Sequence, residues 1–261
     1  MNRGTVIKGN LHGVAAAHRE ARFFLVMAWC MALMVVAGFA FNLAMGRSSF
    51  AVPFPYHFHA AVFFGWTALY VLQNTLVFRG NIALHRRLGK LALLFVPLIV
   101  LAGLWLTLTA LRFRGGPPFF GQAEFLFVNI CQLLAFAGLV GWAIGQCRHT
   151  DWHRRLMYGG MATLCSPGLA RLLPLPFTIP HAFTVVFLAA LVFPVIGMIA
   201  DKRLHGRVHR AWLWTIALPL AALLLGEVIG DSEWALELTA EYVAGTPGGS
   251  RPPGPFLPPG L

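Results

Sequence analysis

The sequence predicts an all-α integral membrane protein built as a bundle of seven transmembrane helices. Hydrophobic residues make up 58% of the 261 residues and charged residues only 11%, whereas a soluble domain carries about 25% charged residues. The apolar residues form seven long stretches, and about 20 apolar residues are enough to cross a bilayer core. Lys and Arg are concentrated in alternate connections between these stretches. Together these three observations predict the fold class.

Six of the stretches are uninterrupted and are predicted to be membrane-spanning helices: residues 23–45, 58–78, 91–111, 125–144, 181–200 and 211–229. The remaining stretch, residues 156–177, is the fifth in chain order and contains Pro167, Arg171, Pro174 and Pro176. Proline breaks or kinks a helix. This stretch is therefore predicted to be either a short kinked helix or a helix that runs into a structured loop.

The distribution of positive charge predicts the orientation, because cytoplasmic connections carry an excess of Lys and Arg. Fifteen of the 20 Lys and Arg residues precede span one or follow spans two, four and six. With seven spans, this bias places the N-terminus in the cytoplasm and the C-terminus in the periplasm of a bacterial inner membrane. The net charge of +11 is explained by topology and by anionic headgroups of the lipid bilayer. No basic patch with interleaved aromatic residues is present, so nucleic-acid binding is not predicted.

The chain is predicted to have four regions. Residues 1–22 form a cytoplasmic N-terminal segment, and residues 23–230 form the seven-helix transmembrane domain. In residues 231–244, acidic residues recur every fourth position beside apolar ones, which suggests an interfacial amphipathic helix or a solvated helical turn without a partner. Residues 245–261 are rich in Pro and Gly, a composition that predicts a flexible tail.

The most informative polar residues are histidines. A His-Arg pair occurs four times at the cytoplasmic start of an outward-running helix: His18-Arg19, His85-Arg86, His153-Arg154 and His209-Arg210. Two of these pairs extend to the tetrad HRRL, at 85–88 and 153–156, which suggests an internal repeat of one helical hairpin. Topology explains the Arg residues, whereas a neutral imidazole contributes little to it. The His residues are therefore either interfacial residues or ligands.

The positions of the histidines predict two sites rather than one. His59 and His85 lie at opposite ends of one hairpin, about 30 Å apart, so they cannot share a ligand. The outer candidates are His59, with His57 as a substitute, and His181, and the inner candidates are His85 and His153. His59, His85, His153 and His181 are also the candidate metal ligands.

Pairs of His on different helices are the arrangement that holds b-type haem, in which two axial imidazoles bind the iron and stacked centres pass electrons across the bilayer. Arg171 would pair with a haem propionate or an anionic substrate, or extend to lipid headgroups. One feature opposes haem: His85 precedes the third span inside an Arg-rich elbow, and only a short amphipathic turn would carry it back into the bundle. The same position suits a quinone headgroup or a metal ion.

The other polar residues of the spans, including Gln73, Asn129, Gln132 and Glu227, are explained by interhelical hydrogen bonds, with Glu227 also a candidate proton relay. Metalloprotease, nucleophile and phosphate-loop motifs are absent from the sequence. The sequence therefore assigns no catalytic residue and does not decide whether the protein is an enzyme.

Two segments carry a resemblance to known proteins. Residues 56–104, with His59, Gln73 and the elbow ALHRRLG, resemble a group of uncharacterised bacterial polytopic membrane proteins. Residues 151–172, with a second His-Arg elbow and Arg171 one helix later, are similar to that group's second signature. This resemblance covers spans two to seven and implies a fold and shared polar positions, but no reaction. The alternating His placement is also distantly similar to transmembrane di-haem cytochromes b, which implies haem. The chain departs from these cytochromes because span four carries no His, which puts the outer haem in question.

The sequence thus predicts a b-type cytochrome-like electron-transfer module with a His-ligated haem b. One alternative is a non-catalytic subunit or assembly factor of a larger membrane complex, using its helix faces and acidic outer segment as contacts. Another is a transporter or sensor that binds a quinone or a small anion, with His57, His59, Arg171 and His181 forming an outward-facing pocket.

Overall fold

The protein is all-α, as predicted. The computed structural model describes the backbone of residues 3–257 and the side chains of residues 16–257. No strand occurs within residues 3–257. The helices are α1 (Arg3–Ala44), α2 (Phe54–Phe78), α3 (Ile82–Gly89), α4 (Ala92–Arg114), α5 (Gln122–Gly145), α6 (Thr150–Leu164), α7 (Ser166–Leu172), α8 (Ala182–Ala190), α9 (Val192–His205), α10 (Ala211–Gly230) and α11 (Glu233–Val243).

Within the described residues 3–257, six helical stretches are long and apolar enough to cross a membrane: Ala16–Ala44, Phe54–Phe78, Ala92–Arg114, Gln122–Gly145, Ala182–His205 and Ala211–Gly230. Each coincides with one of the six uninterrupted stretches of the sequence, and the chain is a multi-pass membrane protein. Many large apolar side chains on these helices are exposed, including Leu93 and Val228. Apolar outer faces of this kind are stable in contact with lipid rather than water.

The interrupted fifth stretch begins earlier than predicted and ends at its prolines. Helix α6 has 15 residues and α7 has 7, and Cys165 between them keeps a right-handed helical backbone. Pro167 lies in the first turn of α7, where proline removes no helical hydrogen bond. Helix α7 ends at Leu172, before Pro174.

Small residues bring the helices close together. Gly226 of α10 lies against the backbone of α5, and a Cβ at Gly226 would be 2.6 Å from the Val128 Cα atom. Gly38 of α1 lies against the backbone of Gly168 in α7. Such glycines permit helix backbones to pack at short distance in membranes. Helix α5 packs against α4, α6 and α10, which makes it a central element of the bundle.

Parts of both terminal segments are described by the structure, namely residues 3–22 and 245–257. From residue 3 onward, the predicted N-terminal segment is helical and continuous with the first span. The amphipathic segment 231–244 contains α11, which begins where the Ser232 hydroxyl accepts a hydrogen bond from the Ala235 N–H at 3.3 Å. In the Pro- and Gly-rich tail, the Arg251 guanidinium donates to the Phe120 carbonyl at 2.8 Å and to the Pro117 carbonyl at 3.0 Å. Composition gives no indication of these contacts.

Candidate cofactor site

The elbow between the second and third spans is folded back toward the bundle. Gly80, with φ of +73°, permits the chain to turn after α2, and the Asn81 side chain caps α3 by accepting a hydrogen bond from the Leu84 N–H at 3.2 Å. Helix α3 carries the sequence IALHRRLG. In α3 His85 is half-buried whereas Arg86 and Arg87 are exposed. The short amphipathic turn that the inner site requires is therefore present.

Gln73 of α2 fixes the position of this turn. With its amide oriented so that both ends are satisfied, the Gln73 nitrogen donates to His85 Nδ1 at 2.5 Å and to the His85 carbonyl at 3.1 Å. The Gln73 oxygen accepts from the Gly89 N–H at 3.0 Å. The sequence indicated a hydrogen-bonding role for Gln73, but not that its partner is His85.

His153 is oriented by the end of α5. Its Nδ1 is 2.8 Å from the carbonyl oxygen of Ala143. Because a carbonyl only accepts hydrogen bonds, Nδ1 carries the proton. The neutral ring therefore has its lone pair on Nε2, and a backbone carbonyl bound to Nδ1 is the usual support of a metal-ligating imidazole.

The structure brings the two inner candidates together. The ring centroids of His85 and His153 are 6.3 Å apart, and the ring planes are inclined by 83°. Burial lowers the pKa of the His85 imidazole below its usual value, and the nearby His153 lowers this pKa further. His85 is therefore neutral at pH 7, and Nδ1, which accepts from Gln73, is its lone-pair nitrogen.

The outer candidates are less closely associated. His59 is half-buried and stacks on Phe63 with 3.9 Å between ring centroids. His57 and His181 are exposed. Within residues 16–257, no ring contact joins His59 to His181. The outer pair that the sequence suggested is therefore not assembled as a ring pair.

Two buried nitrogens near the outer end have no hydrogen-bond partner among the described residues: Nδ1 of His59 and Nε of Arg171. The Arg171 guanidinium lies over the Phe39 ring at 3.9 Å and donates to the Pro167 carbonyl at 2.7 Å. Buried polar atoms are normally paired. Arg171 Nε is therefore available to an acceptor, and His59 Nδ1 to a hydrogen-bonding group, that is not part of the described chain.

A buried ion-pair network lies close to His153, and the sequence analysis missed it. Arg155, 2% exposed, donates from Nε to Asp201 Oδ2 at 2.8 Å and from Nη2 to Asp201 Oδ1 at 2.6 Å. Asp201 also accepts from the Trp212 indole at 2.8 Å and from the His209 N–H at 3.0 Å. This two-pronged pair joins α6 to α9 and α10.

Glu20 extends the network to α1. Its carboxylate accepts from Arg154 at 2.7 Å, from His205 at 3.1 Å and from Arg155 at 3.3 Å. A signal for these residues existed in the sequence, because Glu20 and Asp201 are rare acidic residues inside Arg-rich helix ends. Glu20, Asp201 and His205 are close enough to hold a cation. Arg154 and Arg155 together neutralise the two carboxylates, so the arrangement is a structural ion-pair network.

Comparison with known proteins identifies no relative: no protein-family model matches the chain, and neither a curated protein nor a solved structure matches it. Function is therefore argued from the sites themselves.

Proposed function

We propose that this protein is a b-type cytochrome-like electron-transfer module of the membrane, in which the imidazoles of His85 and His153 would hold an inner haem. The observation that carries the proposal is the distance between the two imidazoles, 6.3 Å from centroid to centroid. Two metal–nitrogen bonds of about 2 Å each, added to the two ring radii, give a centroid separation of about 6 Å. The donor set and its spacing fit one metal held between the rings.

The protein contributes ring orientation. The Ala143 carbonyl holds His153 with Nε2 free, and the Gln73 amide holds both the backbone and the ring of His85. A bound b-haem would supply a one-electron couple whose potential depends on its axial ligands. In the orientation described above, His85 Nδ1 accepts from Gln73, so the proton of the neutral ring lies on Nε2. For Nε2 to act as a ligand, the proton would have to move to Nδ1 and the Gln73 amide would have to turn over, exchanging its bonds to the His85 carbonyl and the Gly89 N–H for one bond from Nδ1 to its oxygen.

We also propose that the bundle crosses a bacterial inner membrane seven times, with the N-terminus in the cytoplasm and the C-terminus in the periplasm. Support comes from α6 and α7, which follow one another through Cys165 and have a combined length of about 34 Å at 1.5 Å per residue. Leu156, Tyr158, Met161 and Cys165 of this stretch are fully buried. An odd number of spans is also the count that agrees with the bias of Lys and Arg.

The test is the reduced-minus-oxidised absorbance spectrum of the protein purified in mild detergent, with extraction to identify any haem. His85→Ala and His153→Ala should each abolish the inner-site spectrum while the protein still inserts. His149→Ala is the matched control, because His149 is exposed and precedes α6. Gln73→Leu should weaken cofactor binding by about 10–100-fold, the usual effect of removing a ligand's hydrogen-bond partner. A purified protein without any cofactor absorbance would refute the proposal and favour the non-catalytic subunit.

A second candidate function rests on the unpartnered nitrogens of His59 and Arg171. A quinone carbonyl or a small carboxylate would accept a hydrogen bond from Arg171 Nε, since Arg donates strongly to such oxygens. Arg171→Leu should weaken this ligand by about 1.5–3 kcal/mol. Arg47→Leu is the control. Arg171 lies over Phe39, near the end of α1, and Arg47 lies just beyond that end and stacks on the Phe41 ring. Equal effects of the two substitutions would exclude the site.

A further inference from the structure

A groove between α1 and α9 has a basic end and an apolar floor. Its volume is about 390 Å³. The part of its wall on α1 is Arg19, Arg22, Phe23 and Val26, and the part on α9 is Ile196, Ile199, Ala200, Arg203 and Leu204. On each helix these residues recur at intervals of three and four positions, so each set forms one stripe along the helix. The two stripes face each other across the groove.

The basic residues of both stripes lie at the same end. Glu20 of α1 contacts His205 of α9 at 3.1 Å, which aligns the early part of α1 with the end of α9. Arg19 and Arg22 are therefore near Arg203, whereas Val26 and Ile196 lie about 10 Å further along the helices. The groove changes from cationic to apolar over that length, as an amphiphilic molecule does.

Nearby carboxylates do not neutralise the three arginines. Residues 1–19 contain no Asp or Glu, and the nearest acidic residues along the two helices are Glu20 and Asp201. Both are buried, and both are occupied by the ion-pair network of Arg155. Arg19, Arg22 and Arg203 are exposed and form no ion pair within residues 16–257. The basic end therefore keeps its full positive charge.

We propose that this groove binds one anionic phospholipid. Arg19, Arg22 and Arg203 contact the phosphate of the headgroup, and the first part of an acyl chain lies along Phe23, Val26, Ile196 and Ile199. Charge complementarity selects an anionic lipid. A zwitterionic headgroup would place its positively charged group beside the three arginine side chains. Basic pockets between transmembrane helices bind anionic headgroups for the same reason.

The test compares two lipids with the same dioleoyl chains, phosphatidylglycerol and phosphatidylcholine, added to the full-length protein in a neutral detergent. Bound lipid is counted by native mass spectrometry, and the thermal unfolding midpoint is followed in parallel. Phosphatidylglycerol should bind and raise the midpoint, and phosphatidylcholine should do neither. At about fivefold per Arg near the headgroup, combining Arg19→Gln, Arg22→Gln and Arg203→Gln should weaken binding by about 100-fold. Should the triple variant fail to fold, each single variant should weaken binding about fivefold.

The matched control combines Arg79→Gln, Arg86→Gln and Arg87→Gln, three exposed arginines outside the groove. The control variant should bind phosphatidylglycerol as the unmodified protein does. Ala200→Trp fills the apolar floor without altering charge and should also weaken binding. Equal loss in the control variant, equal binding of phosphatidylcholine, or full stabilisation by inorganic phosphate alone would each overturn the proposal. The first would indicate general surface attraction, and the last a simple anion site.

Discussion

Replacing Arg155 by Met tests whether the buried ion-pair network holds the bundle together. The substitution keeps an unbranched side chain but removes the donors to Asp201, Glu20 and the Asp151 carbonyl. Removing one partner of a buried ion pair costs about 3–5 kcal/mol. Asp201 would still be bonded by Trp212 and His209, so the cost should be near the lower limit, about 3 kcal/mol.

The assay is thermal unfolding of the purified protein in detergent, where about 3 kcal/mol corresponds to a fall of roughly 6–12 °C in the midpoint. Arg154→Met is the comparison at the neighbouring position. The Arg154 side chain is 30% exposed and pairs with Glu20 and Asp151, so its loss should cost less than that of Arg155, which is itself buried and pairs with the buried Asp201. Adding Asp201→Leu to Arg155→Met should recover part of the loss, since no uncompensated carboxylate remains at that position. If Arg155→Met costs no more than Arg154→Met, the assignment of a structural role to the network is wrong.

Three other predictions concern separate parts of the molecule. Folding lowers the pKa of His85, so the imidazole binds a proton more readily in the unfolded chain than in the folded one. The free energy of unfolding should therefore fall as the pH drops below about 6.5. Chemical denaturation at a series of pH values should show a smaller fall for His85→Gln. Gly226→Val should cost about 1–3 kcal/mol in the same unfolding assay, because a Cβ there meets the backbone of Val128; an unchanged midpoint would mean that α10 and α5 can separate freely. Arg251→Ala removes the donor to the Phe120 and Pro117 carbonyls and should speed proteolysis of the tail, as measured by mass spectrometry, without changing the unfolding midpoint of the bundle.

The membrane class and most helix positions could be predicted from the sequence because both depend on local composition. An apolar stretch of sufficient length must form a helix in lipid, since each backbone N–H and C=O has to be bonded within the segment. The fifth stretch was located less accurately. Its first residues, including Arg155, are polar and were assigned to a connection, whereas the structure buries them against other helices.

Only part of the candidate site could be predicted. The inner pair of His85 and His153 followed from two equivalent positions on neighbouring hairpins, which is local information. The hydrogen bonds between Gln73 and His85 depend on the angle between α2 and α3. That angle could not be predicted from the sequence. The network of Glu20, Arg155 and Asp201 depends on contacts between residues 46 and 135 positions apart. The sequence explained Arg155 by membrane topology alone, so the acidic residues that pair with it were not predicted.

The buried network also has a consequence for the order of events during synthesis. Asp201 follows Arg155 by 46 residues, so at about 5–20 residues per second the ribosome adds Asp201 roughly 2–9 s after Arg155. In the finished bundle, Arg155 pairs with acidic residues of two other helices. During this interval only one of them, Glu20, has been synthesised. Helices α6 and α1 can associate early through that contact, whereas the two-pronged pair with Asp201 must wait for α9. The bundle is therefore locked late in translation, when α9 and α10 join helices that have already entered the membrane.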